Sequence, residues 1–489
     1  MKKYLHPLIA IIAGALTTTA FAPFHAFFMA YISLIALLFT WRRATPKDAF
    51  ILGLLFGIGM FSTGVYWVYI SIHTYGQSST VFAFLLTALF IFILALFPAI
   101  TGYLLNRFFA QHITLAFPAL WVSIEWLRGY VFTGFPWLYL GYSQINTPLK
   151  HLAPWVGVYG VSFVVTLIAV MIFQCVFISK KQKILFAFCI IAITTGIFLL
   201  PKTPFTKPSG EAQSVALVQG NIPQTLKWTP EEAKATMQKY LSLSENIWKT
   251  NIIIWPEAAI PVPLQYIHSY IENIDTTAKQ NNSTLLMGIP IEVPSGGEFY
   301  NAVIAKGHGQ GQYLKRHLVP FGEYFPLPKI IRNMANFFNI PMSDFIPGPK
   351  QQKLIKANDI NVATFICYEI AYPLEVHNYL NDAKFILVVS DDAWFGDSIA
   401  QAQHLEIAQM RALETGRYIA FSSNNGPTAI IDPQGIVTAF APTNQPFVLI
   451  GKIIPMEGKT PWLSYGAYVI LLLIIGFLAL SAWLQRYVN

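Results

Sequence analysis

The most informative stretch of this chain of 489 residues is Ala363-Thr364-Phe365-Ile366-Cys367-Tyr368-Glu369-Ile370. Its apolar, partly β-branched first half predicts a buried strand that ends at a cysteine. The chain has three cysteines, and the other two, Cys175 and Cys189, lie in long apolar runs. A lone thiol in a polar region is either an inert buried side chain or a reactive nucleophile. The rest of the sequence has to distinguish these two possibilities.

The composition is that of an integral membrane protein. Hydrophobic residues make up 54% of the chain and charged residues 11%, well below the roughly 25% that is usual in soluble domains. The net charge is +8, but residues 202–459 hold 20 Lys and Arg against 22 Asp and Glu, and the rest of the chain holds 12 against 2. The excess basic residues therefore flank the apolar runs. That pattern is typical of membrane topology signals and not of a nucleic-acid-binding surface.

Eight apolar runs predict a bundle of about eight transmembrane helices. They cover residues 8–21, 26–41, 50–72, 81–105, 113–132, 154–178, 184–200 and 462–484. Most are close to the roughly 20 residues that a helix needs to cross a bilayer. With a cytoplasmic N-terminus, nearly all basic residues at helix ends face the cytoplasm, and the block 210–455 lies on the outer face.

This pattern predicts three parts. We expect an N-terminal transmembrane domain of about seven helices over residues 1–205, a domain over 210–455 in the periplasm, and a C-terminal transmembrane helix within 460–489. In a bacterium, the outer face is the periplasm, and the protein would then lie in the inner membrane. An idle thiol is a liability in an oxidising compartment, which favours a functional interpretation of Cys367.

The fifth apolar run contains two charged residues, Glu125 and Arg128, one helical turn apart. They are either a pair that neutralises itself within the membrane or groups that contact substrate. The aromatic segment that follows, residues 134–142, either lines a route from the bilayer to the outer domain or forms an aromatic belt.

The outer domain alternates short apolar strands with amphipathic helices, which predicts an α/β layered fold. The predicted strands cover residues 215–218, 252–255, 284–288, 302–305, 362–366, 385–389, 418–422, 428–431 and 436–439. The predicted helices cover residues 230–248, 264–280, 373–380 and 400–415.

Three stretches of this domain combine an apolar strand with a charged or reactive group. Glu257 follows Ile252-Ile253-Ile254-Trp255-Pro256, where partial desolvation would suit it to act as a general base, although a helix N-cap is an alternative. Lys315 could stabilise an oxyanion, and Cys367 needs a base or a cation to become a nucleophile. Because no histidine shares a motif with Cys367, a Cys-His pair is disfavoured, and His404 is most simply a residue on a helix face.

These motifs resemble the Glu-Lys-Cys triad of the nitrilase superfamily. The matching stretches, in order, are Trp255-Pro256-Glu257, Lys315-Arg316-His317-Leu318-Val319-Pro320-Phe321-Gly322-Glu323 and Cys367-Tyr368-Glu369. Five further stretches resemble the apolipoprotein N-acyltransferase family: Val218-Gln219-Gly220-Asn221-Ile222-Pro223-Gln224, Lys227-Trp228, Asp392-Ala393-Trp394-Phe395-Gly396, Ser423-Asn424-Asn425-Gly426 and Thr133-Gly134-Phe135-Pro136-Trp137.

The resemblance implies a reaction and a fold. The family transfers a fatty acyl chain from a phospholipid to the α-amino group of the N-terminal diacylglyceryl-cysteine of apolipoproteins, through a thioester. It implies an αββα sandwich, with no metal, no other cofactor and no nucleic acid as partner. A membrane-anchored amidase or nitrilase with the same triad, and a transporter or scaffold with an outer binding domain, are the alternatives.

The resemblance also assigns site residues. Glu257 is expected to be the general base, Lys315 the oxyanion stabiliser and Cys367 the nucleophile. Glu323 is expected to be a second carboxylate of the site. The residues expected to line the pocket are Trp228, Asn301, Tyr368 and Glu369, and Trp394 is expected to lie at its mouth. These six are the supporting or substrate-binding residues. Asp391 departs from the family pattern, which has asparagine there, and the expected consequence is limited to local loop contacts.

Overall fold

The computed structural model describes residues 2–200, 204–320, 322–324 and 345–487. The chain forms two compact units. The helical unit consists of Met1–Tyr69, Val81–Pro204 and Thr460–Asn489, and the sheet unit consists of Ile70–Thr80 and Phe205–Lys459.

Apolar helices, most of them long, make up the first part of the chain and its C-terminal end. Their bounds are Lys2–Thr17, Phe28–Trp41, Pro46–Gly64, Trp67–Ile70, Thr80–Phe108, Ile113–Arg128, Ala153–Gln174, Lys180–Phe198, Pro461–Tyr465 and Tyr468–Tyr487. Within the described ranges, five stretches are long and apolar enough to cross a membrane: Pro46–Gly64, Thr80–Phe108, Pro148–Gln174, Lys180–Phe198 and Tyr468–Arg486. Tyr4–Ala20 and Phe28–Trp41 are apolar but shorter. Several membrane-compatible helices are therefore confirmed, and the number eight is not.

The third apolar run does not form the single helix predicted over residues 50–72. Thr45 caps its start by accepting a hydrogen bond from the Asp48 amide, and the helix ends at Gly64 because Val65 has non-helical φ and ψ angles of −135° and 22°. Residues 70–80 belong to the sheet unit, where the hydroxyl of Ser71 donates to the carbonyl of Trp394 at 2.7 Å. Hydropathy could not mark the end of this helix at Gly64 because residues 65–70 are also apolar or aromatic.

Glu125 and Arg128 both hold the aromatic segment that follows their helix. Glu125 Oε1 accepts from the amide of Leu140 at 2.9 Å, and Arg128 donates to the carbonyls of Phe135 and Trp137 at 3.2 and 2.5 Å. Buried backbone groups in a loop need such partners, because the loop cannot satisfy them internally. The two charged side chains therefore fix residues 135–140 within the helical unit.

The sheet unit contains fifteen strands among the described residues. They are β1 Thr206–Pro208, β2 Gln213–Gln219, β3 Ile252–Trp255, β4 Thr284–Glu292, β5 Phe299–Gly307, β6 Gly309–Gln310, β7 Gln312–Leu314, β8 Ile355–Ala357, β9 Ile360–Ile366, β10 Phe385–Ser390, β11 Ile419–Ser423, β12 Ala429–Ile431, β13 Val437–Phe440, β14 Phe447–Ile453 and β15 Met456–Gly458. Its helices are Gln224–Lys227, Pro230–Ser244, His268–Gln280, Pro373–Leu380 and Ala400–Thr415.

The strands form two mixed sheets and one two-stranded ribbon. The first sheet has the order β14-β2-β3-β4-β5-β7, the second has the order β13-β12-β11-β10-β9-β8-β6, and β1 pairs with β15. Three neighbouring strands at the centre of each sheet are parallel, β2-β3-β4 in the first and β9-β10-β11 in the second. The outer pairs are antiparallel.

The central strand β3 is apolar along its whole length because both of its faces are buried. All four residues of β3 are inaccessible to solvent, and Ile253 and Trp255 pack with Tyr240 and Ile271 from two helices in one core cluster. On the second sheet, the ring of His404, from the helix Ala400–Thr415, lies 5.0 Å from the ring of Phe421 on β11. The parallel strands thus deliver the residues that follow them to the carboxyl edge of each sheet.

Candidate active site

The three expected catalytic residues each follow the end of a strand. Glu257 comes two residues after β3, Lys315 directly after β7, and Cys367 directly after β9. Their exposed fractions are 7%, 1% and 8%. Cys367 also has a φ angle of +56°, a left-handed conformation that is uncommon for a residue with a side chain and is often found at functional sites.

Glu257 is held by hydrogen bonds at both of its carboxylate oxygens. Oε1 accepts from Asn301 Nδ2 at 2.7 Å and from Lys315 Nζ at 3.2 Å. Oε2 accepts from the backbone amide of Asp391 at 2.9 Å. A carboxylate with these partners has a fixed plane, which a general base needs in order to accept a proton in one direction.

Lys315 is a buried cation between two carboxylates. Its Nζ lies 3.2 Å from Glu257 Oε1 and 2.9 Å from Glu323 Oε1. Burial opposes its charge, but Glu257 and Glu323 outweigh that effect and hold the pKa of Lys315 well above its usual value. The ammonium group is therefore charged at every physiological pH, as an oxyanion stabiliser requires.

The thiol of Cys367 is protonated in the resting protein. Burial and the negative charge of Glu257 raise its pKa well above the ordinary value, against the opposing effects of Lys315 and of a hydrogen bond with Ser390. The thiolate is the attacking form of cysteine, so this thiol has to lose its proton during the reaction. The carboxylate of Glu257, whose charge is felt by this thiol, is a group equipped to take the proton.

Asn301 and Glu323 complete the polar cluster. The amide of Asn301 donates to Glu257 Oε1 at 2.7 Å and to Glu323 Oε1 at 2.9 Å. Glu323 Oε2 accepts from the backbone amide of Val319 at 2.8 Å. Two carboxylates and one lysine are thus fixed relative to each other. The ammonium group of Lys315 interacts with both carboxylates, and its position is defined by them.

Glu369 lies behind the site, fully buried. Its carboxylate accepts from the backbone amides of Arg316 at 2.8 Å, His317 at 3.0 Å and Ile366 at 2.7 Å. Burial raises its pKa, and Arg316 opposes that effect. Glu369 therefore ties the residues after Lys315 to the residue before Cys367, which is a supporting role.

Replacing Glu369 with glutamine is expected to destabilise the sheet unit by about 2–4 kcal/mol. The new NH2 group must face at least one buried backbone N–H, which then has no acceptor. The measurement is the thermal unfolding midpoint in detergent. The control is Glu375→Gln, whose carboxylate pairs with His317 Nδ1 at 2.6 Å and is 35% exposed, and equal shifts in both variants would contradict this role.

The aromatic residues of the expected site lie in different surroundings. Tyr368 is 8% exposed, and its hydroxyl accepts from Tyr372 at 2.6 Å. The buried Nε1 of Trp228 has no hydrogen-bond partner among the described residues. Trp394 packs edge-on against Tyr75, with ring centroids 5.9 Å apart.

Sequence reasoning named Lys227 and Asp391 but missed their contacts with each other and with Glu257. Lys227 Nζ donates to the carbonyl of Glu257 at 2.9 Å and forms an ion pair with Asp391. The departure at Asp391 therefore reaches the expected base, and the view that it affects only loop contacts is wrong. These contacts join residues far apart in sequence, so only the doublet Lys227-Trp228 could have drawn attention to them.

His404 lies in the helix Ala400–Thr415, as expected. It is fully buried, and its Nδ1 lies 3.0 Å from Asp392 Oδ1, which also accepts from the hydroxyl of Ser390 at 2.7 Å. The helix Ala400–Thr415 is buried on most of its circumference, so a polar residue in it gives no sign of which face it lies on.

Comparisons with known proteins identify the family of this chain. Residues 13–171 match the apolipoprotein N-acyltransferase N-terminal domain, and residues 214–457 match the carbon-nitrogen hydrolase family. An apolipoprotein N-acyltransferase of Coxiella burnetii is 46% identical over 98% of this chain and 100% of its own. The chain belongs to the apolipoprotein N-acyltransferase family. A second relative with that name, from Azotobacter vinelandii, is 40% identical over 94% of this chain and 92% of its own.

These matches confirm the expected family and the expected enzyme class, an acyltransferase of lipoprotein biosynthesis within the nitrilase superfamily. It also supports a nitrilase-like fold with mixed sheets for the sheet unit. Among solved structures, Saccharomyces cerevisiae Nit3, a member of branch 10 of the nitrilase superfamily, is 17% identical and covers 51% of this chain and 93% of its own, with a TM-score of 0.39.

Proposed function

We propose that this protein transfers a fatty acyl chain from a phospholipid to the α-amino group of the N-terminal diacylglyceryl-cysteine of apolipoproteins. The acyl chain is carried as a thioester on Cys367. The observation that supports this most is the cluster of Glu257, Lys315 and Cys367, in which a protonated buried thiol lies under the influence of a fixed carboxylate and a fixed cation.

In the first half-reaction, Cys367 Sγ attacks the carbonyl carbon of the phospholipid ester while Glu257 takes the thiol proton. The oxyanion of the tetrahedral intermediate faces the ammonium group of Lys315, which stabilises the developing charge. When the carbon–oxygen bond breaks, the leaving alcohol of the lysophospholipid takes the proton from Glu257. The products are a thioester and a lysophospholipid.

In the second half-reaction, the α-amino nitrogen of the acceptor attacks the thioester carbonyl. Glu257 takes a proton from the amine, the carbon–sulfur bond breaks, and the sulfur regains the proton from Glu257. A thioester is less resonance-stabilised than an amide, so this step runs downhill without a nucleotide. Two easier steps thus replace one difficult encounter of three groups.

The remaining expected residues have proposed roles around this chemistry. Asn301 and Glu323 fix Glu257 and Lys315, while Tyr368 and Trp228 line the path of the substrates. Nε1 of Trp228 is a buried donor without a partner among the described residues, so a substrate oxygen could accept its hydrogen bond. Trp394 lies at the entrance.

A chase experiment tests transfer against hydrolysis. Purified protein is loaded with phospholipid that carries a labelled acyl chain, separated from free lipid, and then given a diacylglyceryl-cysteine peptide. We expect the label to move to the peptide amine. A peptide with an acetylated α-amine is the control. Release of the label only as free fatty acid, at the same rate with both peptides, would favour an amidase-like hydrolase and contradict the proposal.

We also propose that about eight helices span the inner membrane and that the catalytic domain, residues 210–455, lies in the periplasm between transmembrane parts 1–205 and 460–489. The support is the basic residues at alternate helix ends, such as Lys180 and Lys181. The bilayer then supplies the phospholipid.

Thiol labelling tests this orientation. In a variant without Cys175, Cys189 and Cys367, single cysteines are introduced at the exposed positions Ser295 and Lys181. We expect a membrane-impermeant maleimide to label Ser295→Cys in intact spheroplasts and Lys181→Cys only after lysis. The opposite pattern would contradict a periplasmic catalytic domain.

A further inference from the structure

We propose that Lys227 and Asp391 act as one buried ion pair that positions Glu257 for proton transfer. They are positioning residues, since they act through Glu257 and not on the substrate. The inference rests on the proposed role of Glu257 as the general base. It assigns a function to the position at which this chain departs from the asparagine expected in its family.

The residues of the ion pair donate hydrogen bonds to Glu257 at two separate points. Lys227 Nζ donates to the Glu257 carbonyl at 2.9 Å, and the backbone amide of Asp391 donates to Glu257 Oε2 at 2.9 Å. The ion pair between Lys227 Nζ and Asp391 Oδ2 links the two donor residues through their side chains. The backbone and the carboxylate of the base are therefore fixed by the same two residues.

The pair is closed to solvent. The side chains of Lys227 and Asp391 are 1% and 4% exposed. Burial raises the pKa of Asp391, and Lys227 opposes this effect. Buried charges of this kind have a defined geometry because each is strongly destabilised when its partner leaves. A surface pair would allow the side chains to exchange partners with water.

Two further contacts hold the carboxylate of Asp391. Asn424 Nδ2 donates to Asp391 Oδ1 at 3.1 Å, and also to the carbonyl of Ile222 at 2.9 Å. With its amide oriented to satisfy both of its groups, Gln224 donates to Asp391 Oδ2 at 3.0 Å and accepts from Trp394 Nε1 at 3.2 Å. The position of Asp391, and through it that of Glu257, is thus set by two separate segments, the helix Gln224–Lys227 and the residues around Asn424.

Two single variants test the pair. Asp391→Asn keeps the shape and the backbone donor but leaves Lys227 without a carboxylate partner, and Lys227→Met removes the donor to the Glu257 carbonyl. We expect each to slow formation of the acyl-enzyme by about 10- to 100-fold, with little change in the phospholipid concentration that gives half-maximal rate. A rise in that concentration with an unchanged maximal rate would overturn the proposal.

The double variant Lys227→Met/Asp391→Asn separates positioning from stability. The two new side chains are uncharged, so no unpaired charge is left buried. The unfolding midpoint should therefore recover towards that of the wild type, whereas the acylation rate should stay low. Recovery of both together would mean that the pair only stabilises the fold. A matched control is Arg411→Met/Glu414→Gln, which removes another fully buried pair, at 2.8 Å, and should leave the acylation rate unchanged.

A cycle with Glu257→Gln shows whether the pair acts through the base. In the Glu257→Gln background, the substitutions at Lys227 and Asp391 should cause no further loss, because residues that act as a unit are not additive. Full additivity would overturn the inference. If Glu257→Gln alone acylates normally, the proposed role of Glu257 fails instead, so the two failures are distinguishable.

Discussion

Replacing Cys367 with alanine is expected to abolish the acyl-enzyme and to reduce acyl transfer to background, a loss on the order of 10³-fold or more. No other thiol of the chain lies in the sheet unit, and the triad offers no second nucleophile to hold the acyl chain. The variant should fold, since alanine is smaller than cysteine and tolerates the local backbone no worse. The measurement is the transfer rate, together with the unfolding midpoint.

The controls for Cys367→Ala are the two other cysteines. Cys175→Ala and Cys189→Ala should both retain the acyl-enzyme and its full rate of formation, since these residues lie in or beside helices of the helical unit. Cys367→Ser keeps the shape with a far weaker nucleophile and should also fail. Wild-type transfer by folded Cys367→Ala would remove the thiol from the mechanism.

Replacing Glu257 with glutamine is expected to slow acylation by about 10²- to 10⁴-fold, the range that a positioned general base contributes. The substitution has a second effect of opposite direction. Besides burial, the negative charge of Glu257 raises the pKa of the Cys367 thiol. Removing that charge lowers the pKa of the thiol and so raises the thiolate fraction at neutral pH. Acylation should therefore fall while the thiolate fraction rises.

Both effects can be measured on one sample. The ultraviolet absorbance of the thiolate, titrated with pH and corrected with Cys367→Ala, gives the ionised fraction, and rapid quenching gives the acylation rate. If Glu257 acted only through its charge, the glutamine variant would acylate faster than the wild type at neutral pH. The control is Glu292→Gln at the end of β4, whose side chain binds Tyr266 at 2.5 Å, and it should change neither quantity.

Sequence alone located the strands that carry the site more accurately than the sheet edges. The predicted strand 252–255 matches β3, because four apolar residues in a row are typical of a strand buried on both faces. β14 was not predicted, although it pairs with β2 along its whole length. It is an edge strand in which the apolar Ile450 is exposed to solvent, as Lys452 is, and this mixture obscures the pattern.

The side chains of the site were predictable where motifs mark them and not where tertiary contacts create them. Glu257 and Cys367 each follow a predicted strand, whereas Lys315 follows the short strand β7, which was not predicted, and is marked by its motif alone. The structure places Glu257 and Lys315 in direct contact. Lys227 and Asp391 meet across 164 residues of sequence, and no local pattern encodes that pairing. Similarly, the short range of hydropathy windows could not show that residues 70–80 leave the helical unit.

The most direct test of the proposed mechanism is the intact mass of the purified protein after incubation with a phospholipid of defined acyl chains, followed by peptide mapping. We expect one added acyl group per chain, on Cys367, sensitive to hydroxylamine as a thioester is, and lost when a diacylglyceryl-cysteine peptide is added. An enzyme that transfers acyl chains at its full rate without such an adduct, or with the adduct on another residue, would contradict a thioester on Cys367.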